Sequence, residues 1–347
     1  MPVSKATATL AVALAALAAY AQQIPAPPAA PTPPGPNAAR GPRPAPPPLV
    51  SLPGSPADRK QDDYTFGPDS MVHEGVPQGT WDKITWGKET GKSEIFPGTE
   101  RFVWTYVPAQ YDPKIPAALM VIQDGVRQYA EREDNRPAAR KAEYRVPTVL
   151  DNLIARGELP VIITVFIDPG SGDIHGRNGN PNFSSRSFEY DTVSDQYSQF
   201  LATEILPLVE KKYNIRKDAA GRAIGGISSG AICAFTVAWN HPDWFGKVLS
   251  DVGSFTNIRG GHVYPQLVLA SERKPLKIHM QDGINDNRRP DDLQRDWYLQ
   301  NEAMRAALVQ KGYAVKYVLG DGVHSSKHGG AILPDSLRWL WSDQAPK

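Results

Sequence analysis

The run Val161-Ile162-Ile163-Thr164-Val165-Phe166-Ile167 is interrupted by only one polar side chain, Thr164. A strand with one wet face alternates apolar and polar residues. A continuous β-branched and aromatic run instead suits a strand covered on both faces, as in a mostly parallel sheet. From Phe102 onward similar β-rich segments recur, at Phe102–Val107, Ala118–Gln123, Arg222–Ile227, Lys247–Val252, Leu276–Met280 and Val315–Leu319. Helical patterns lie between them. Tyr197, Phe200, Leu201, Ile205, Leu208 and Val209 fall at helical spacing within Ser194–Lys212, where Pro207 predicts a kink. Leu293–Lys311 places Trp297, Met304, Ala307 and Leu308 on one face, and Gly312 supplies a C-terminal stop. A last helix is expected from Pro334 to Trp341. The alternation predicts one α/β domain with a mostly parallel central sheet and helices on both faces.

The N-terminal residues do not belong to that pattern. Lys5 precedes an apolar, Ala-rich stretch from Leu10 to Ala19, and Ala19-Tyr20-Ala21 offers the small residues that a signal peptidase reads. Residues 1–21 therefore read as a signal peptide cleaved before Gln22, and the mature chain as exported, periplasmic or secreted. The apolar stretch is shorter than the roughly 20 residues that span a bilayer, so no stable membrane insertion is expected after cleavage. Residues 22–63 read as a linker: Pro25 to Pro56 is rich in Pro and Ala, which favours extended chain and cannot build a core. The folded domain is assigned to residues 64–347.

Lys plus Arg (38) nearly balance Asp plus Glu (37), which gives no electrostatic case for a nucleic-acid partner. One cysteine, Cys233, excludes an intrachain disulfide, and its apolar helical surroundings read as packing. The Asp-, Gly- and Asn-rich stretch Asp168–Asn182, with His175, lacks a dense acidic ligand pattern. It reads as a rim loop, and neither a metal nor a cofactor is expected.

Chemistry concentrates at Gly226-Ile227-Ser228-Ser229-Gly230, between a β-like segment and the apolar helical run Ala231 to Trp239. A serine on a sharp strand-to-helix turn needs neighbours without side chains, and Gly226 and Gly230 supply them. Ser228 is thus a candidate nucleophile, which requires a base and a group to orient it. Of seven histidines only His324 and His328 follow the last predicted strand. His324 sits just past that strand's end, where open α/β sheets place ligands, and His328 reads as supporting or surface. The acid is sought after Leu276–Met280, where Asp282 and Asp286 are both candidates. Spacing alone does not choose between them, and Asp291, Asp292, Asp296 and Glu302 read as a solvated helix start.

Gly226-Ile227-Ser228-Ser229-Gly230, Gly283-Ile284-Asn285-Asp286 and Gly322-Val323-His324 together resemble the esterase D superfamily of α/β-hydrolases. That group includes enterochelin-esterase-like enzymes, feruloyl and acetylxylan esterases of carbohydrate esterase family one, and the mycolyltransferases. The likeness extends over Tyr106–Pro113, Gln123–Gly125, Arg186–Asp191 and Leu333–Trp341. It implies a single α/β-hydrolase domain and a serine carboxylesterase. The family's Gly-x-x-Asp turn selects Asp286 as the acid. The resemblance also implies oxyanion donors at the backbone N–H groups of Ser229 and Val126. It further suggests that Asp124 and Arg127 hold a sugar hydroxyl, and that Arg186 and Glu189 form a pocket wall. The implied partner is a small-molecule or carbohydrate ester: an acyl or feruloyl ester of cell-wall carbohydrate, or else a siderophore trilactone or an acyl group passed to a sugar hydroxyl.

Overall fold

The computed structural model describes residues 63–344, apart from 88–92, 130–142, 172–184 and the side chains of 127 and 128. The predicted signal peptide and nearly all of the linker lie outside the described residues, as does most of the rim-loop stretch with His175. Eight strands form one sheet: β1 (Thr80–Trp86), β2 (Arg101–Val107), β3 (Ala118–Gln123), β4 (Ile162–Ile167), β5 (Arg222–Ile227), β6 (Lys247–Asp251), β7 (Lys277–Gly283) and β8 (Ala314–Gly320). Their order is β1-β2-β4-β3-β5-β6-β7-β8. The strands from β4 to β8 in that order run parallel, whereas β2 is antiparallel to both β1 and β4.

Every residue of β3, β4 and β5 is buried, as unbroken apolar runs require. Strand alternation sends Leu119, Val121, Ile163, Val165, Ile224 and Val248 to one core. Helices Gln196–Phe200, Ser229–Asn240, Tyr264–Ala270 and Trp297–Gln310 cover that side. Met120, Ile122, Ile162, Phe166, Ala223 and Leu249 point the other way, under helices Val146–Ala155 and Lys327–Leu340. Each fully buried Leu, Ile or Phe contributes about 1.5–3 kcal/mol, so two such cores hold the sheet firmly from both sides.

Several element boundaries differ from the sequence expectation. β1 was not foreseen; it is an antiparallel edge strand whose residues are mostly exposed or half-buried, so its apolar signal is diluted. The predicted kink at Pro207 is spread over a π-helical turn, Leu201–Ile205, which precedes a fresh α-helix at Leu206. Pro207 has no N–H to donate, and the wider turn accommodates that loss. The last helix begins at Lys327 rather than at Pro334, and Pro334 sits inside it. Gly329 and Gly330 look like loop residues in sequence. Within the helix they are glycines because no side chain would fit: a Cβ on Gly330 would lie 1.6 Å from the Glu143 carbonyl oxygen.

β7 runs on past its apolar residues to Gly283, pairing Asp282 with Leu319 and Gly283 with Gly320. β5 ends with Ile227 opposite Asp251. This register brings the C-terminal ends of β5, β7 and β8 to one edge of the sheet.

Candidate active site

Ser228 follows β5 directly and has φ 57° and ψ −121°, a conformation that side-chain-bearing residues rarely adopt. Backbone contacts on both sides hold it there. Its N–H donates to the Asp251 carbonyl at 2.9 Å, and its carbonyl accepts from Ala231, Ile232 and Ser254. The flanking glycines are required by space. A Cβ on Gly226 would approach the Gly230 carbonyl carbon to 2.5 Å, and one on Gly230 would meet Asp124 Oδ2 at 2.7 Å. Strand, turn and helix thus present the Ser228 hydroxyl at the sheet's C-terminal edge.

His324 Nε2 lies 2.8 Å from Ser228 Oγ, and His324 Nδ1 lies 2.6 Å from Asp286 Oδ1. The loops carrying the two partners are laced together: Ile284 N–H donates to the Gly320 carbonyl at 3.0 Å and Asn285 N–H to that of Gly322 at 3.2 Å. Gly283 permits this approach, because a Cβ there would stand 2.2 Å from the Gly322 oxygen. Burial pushes the His324 imidazole down to about 4; the acid at Asp282 opposes the shift and the Arg186 charge adds to it. Burial likewise pushes Asp286 up to about 7. The ring is therefore neutral at neutral pH and able to accept a proton through Nε2 once Nδ1–H is donated to Asp286.

Of the two candidate acids, Asp286 meets the ring. Asp282 is not in the loop at all; it lies within β7, fully buried, with its carboxyl group neighbouring that of Asp286. His328 is buried rather than on the surface. Its ring stacks on Tyr64 at 4.1 Å and its Nδ1 lies 3.2 Å from Gln281 Nε2. The Tyr64 hydroxyl also donates to Asp321 Oδ1 at 2.6 Å and accepts from the Asp321 N–H at 3.0 Å. Tyr64 thus ties the start of the described chain to the loop that bears His324.

Three supporting residues escaped the sequence reading. Ser254 Oγ lies 3.1 Å from Ser228 Oγ and accepts from Trp297 Nε1 at 3.1 Å. The Trp297 ring stands edge-on to His324, 5.6 Å away. Asp296, expected to be solvated, is fully buried; it caps the helix through the Leu299 N–H at 3.0 Å and accepts from Arg288 Nε at 3.0 Å. The one available signal was positional, since Ser254 lies in the loop just past β6, at the sheet edge that also carries Ser228.

Asp124 and Arg186 form a bidentate pair at 2.5 and 2.8 Å, and Arg186 also donates to the Ile227 carbonyl at 3.3 Å, next to the nucleophile position. Arg186 keeps 32% of its side-chain surface exposed and Asp124 10%, so the pair reaches solvent beside the nucleophile turn. Glu189 does not form a pocket wall. Its side chain is wholly buried, and its carboxylate accepts from Arg101 at 2.6 and 2.9 Å and from Ser185 Oγ at 2.5 Å. The Arg127 side chain lies outside the described ones. Ser229 and Val126 are the first residues of their helices, where a backbone N–H has no intrahelical acceptor.

The Esterase family model, described as "Putative esterase", matches residues 93–339. The iron(III) enterobactin esterase of Dickeya dadantii is 26% identical over 263 residues, 72% of this chain and 53% of its own length. The crystal structure of enterochelin esterase from Shigella flexneri superposes with a TM-score of 0.58 at 24% identity, over 77% of this chain and 60% of that one. The carbohydrate esterase family one ferulic acid esterase of Anaeromyces mucronatus also gives 0.58, at 17% identity, over 81% of this chain and 97% of that one. The chain thus spans little more than half the length of these enterobactin-type relatives and nearly all of the ferulic acid esterase. With the family model covering most of the chain and the fold shared, the protein belongs to the Esterase family.

Proposed function

We propose that the protein is an exported serine carboxylesterase acting on acyl or feruloyl esters of cell-wall carbohydrate through Ser228, His324 and Asp286. The observation that carries this reading is the unbroken chain of short contacts from Ser228 Oγ through both ring nitrogens of His324 to Asp286, on a strained strand-to-helix turn. His324 Nε2 takes the Ser228 proton as Oγ attacks the ester carbonyl. The N–H groups of Ser229 and Val126 receive the negative charge on the tetrahedral oxygen; such donors supply roughly 3–4 kcal/mol each in comparable hydrolases. His324 then gives the proton to the departing alcohol, leaving an acyl-serine. A water molecule, deprotonated by the same ring, releases the acid and restores Ser228. Asp286 holds the ring tautomer and offsets the imidazolium charge throughout.

The carbohydrate ester is favoured because the ferulic acid esterase neighbour is matched over nearly its whole length, so a single domain of this size suffices for that activity. The Arg186–Asp124 pair, with Arg186 reaching the Ile227 carbonyl, supports a polar subsite for a sugar hydroxyl beside the nucleophile. The enterobactin-type relatives favour a second reading, a siderophore trilactone esterase with the same chemistry. The two are separated by turnover of methyl hydroxycinnamates and feruloylated arabinoxylan against a catecholate trilactone, with and without a free sugar acceptor. Hydroxycinnamate release with no acyl-sugar product is expected. Turnover of the trilactone alone, or acyl transfer to the acceptor, would overturn the substrate reading and leave the nucleophile in place.

A further inference from the structure

The side chain of Asp282 points from β7 to the same side as Ile278 and Met280, into a core. It is fully buried, as is Asp286. Asp286 Oδ1 is occupied by His324 Nδ1. The remaining three oxygens of the two carboxyl groups meet no other donor among the described residues, apart from the backbone N–H of Gly283 beside Asp282. These buried, unpartnered oxygens belong to neighbouring carboxyl groups. Two neighbouring carboxyl groups inside a protein do not readily ionise together, so the pair carries at most one negative charge, and in the working enzyme it holds one proton and one charge. Because the Nδ1–H of His324 already donates to Asp286, the charge is best placed there.

We infer that Asp282 is a positioning residue: a neutral carboxylic acid whose O–H donates to Asp286 Oδ2, turning the other oxygen of that carboxylate toward His324. The inference rests on the triad reading above and adds a residue that acts only through Asp286. Burial, and next the charge on Asp286, raise Asp282 well above the usual carboxylate range, as a proton donor requires. The other ionisable groups near the pair are His324, Tyr317 on β8 with Glu302 behind it, and Asp296, which Arg288 neutralises. No cation forms an ion pair with Asp282 among the described residues, and the Gly283 N–H and the His324 ring, which favour its ionised form, are outweighed by burial and by the neighbouring Asp286.

Asparagine has the shape of the protonated acid and keeps a donor; leucine fills similar space and donates nothing. Asp282→Asn is expected to hold kcat within about threefold of wild type with an unshifted acid limb in kcat/KM. Asp282→Leu is expected to lose roughly 10–100-fold in kcat, the range for a hydrogen bond to a charged group. Its acid limb should also move to higher pH, because Asp286 loses a partner for its charge. A raised acid stabilises the fold when protonated and loses that contribution as pH rises, so the Tm of Asp282→Asn should gain on wild type between pH 4 and pH 8. The decisive readout needs neither turnover nor the leucine variant. The infrared difference between wild type and Asp282→Asn at neutral pH should show one carboxylic-acid C=O band that the variant lacks. Absence of that band, or an Asp282→Asn variant as inactive as Asp286→Asn, overturns the inference. Failure of the triad reading looks different: Ser228→Ala would stay active whatever the band shows.

Discussion

Two carboxylates, Glu189 and Asp286, are both sealed from solvent, yet they are set to different work. Glu189 faces Arg101, a permanent cation, through two hydrogen bonds, with Ser185 as a third donor. Its charge is fully matched, and the pair ties β2 to the helix Arg186–Asp191. Asp286 faces His324, whose ring burial has driven to the neutral form. Its charge is matched only when the ring takes a proton, which is the moment a serine is activated. Equal burial with unequal neutralisation separates a structural tie from a reactive site.

Removing the nucleophile is the severest test of that distinction. Ser228→Ala should lower kcat by about 10⁴–10⁶-fold with the fold intact by circular dichroism. Retention of a tenth of wild-type turnover would remove Ser228 from the site. Asp286→Asn comes next: in a serine protease the equivalent change costs about 10⁴-fold in kcat, and a comparable loss is expected here near neutral pH. A near-normal Asp286→Asn would erase the contrast with Glu189 altogether.

The pH profile probes the same pair less drastically. His324 is neutral above about 4 and Asp286 is ionised above about 7. The working pair needs both conditions, so kcat/KM should rise with pH between these values and level off above them. An acid limb starting only above pH 8, or none down to pH 4, would contradict the coupling. Glu189→Gln should do the opposite of the triad variants. Stranding Arg101 costs about 3–5 kcal/mol, roughly a 10 °C fall in Tm for a domain of this size. The kcat of the folded enzyme should change by no more than a few-fold, and a large loss would return Glu189 to the pocket. The smallest effect is expected from deleting residues up to Pro56, which should leave Tm and kcat alone; a fall of several degrees would show that the arm docks on the body.

The parallel core was legible because burial on both faces forces unbroken apolar runs, and all seven anticipated strands occur in the sheet. β1 was not, since an edge strand such as Thr80–Trp86 mixes charged and aromatic residues. Ser228 was readable because its turn demands glycines at fixed offsets on either side. Asp282 and Asp286 could not be ranked by spacing, because β7 carries three more residues than its apolar run and only register decides which carboxyl group faces the ring. Ser254, Trp297 and Tyr64 act through contacts across the chain, and a lone serine or aromatic residue carries no local pattern that announces such a contact. The arm before residue 63 lies outside the described structure, so its reading rests on composition alone.

Cys233 is the chain's single cysteine, 1% exposed, with burial holding its thiol well above the ordinary range. It is therefore closed to alkylating reagents while the fold persists. A cysteine placed at an exposed position far from the chemistry, such as Ile115 at 65% exposure, would be the sole reactive thiol of the folded protein. A maleimide dye, a spin label or a solid support could then be attached at one chosen point without first stripping out a native thiol. The same property makes modification of Cys233 a direct gauge of how often the molecule opens.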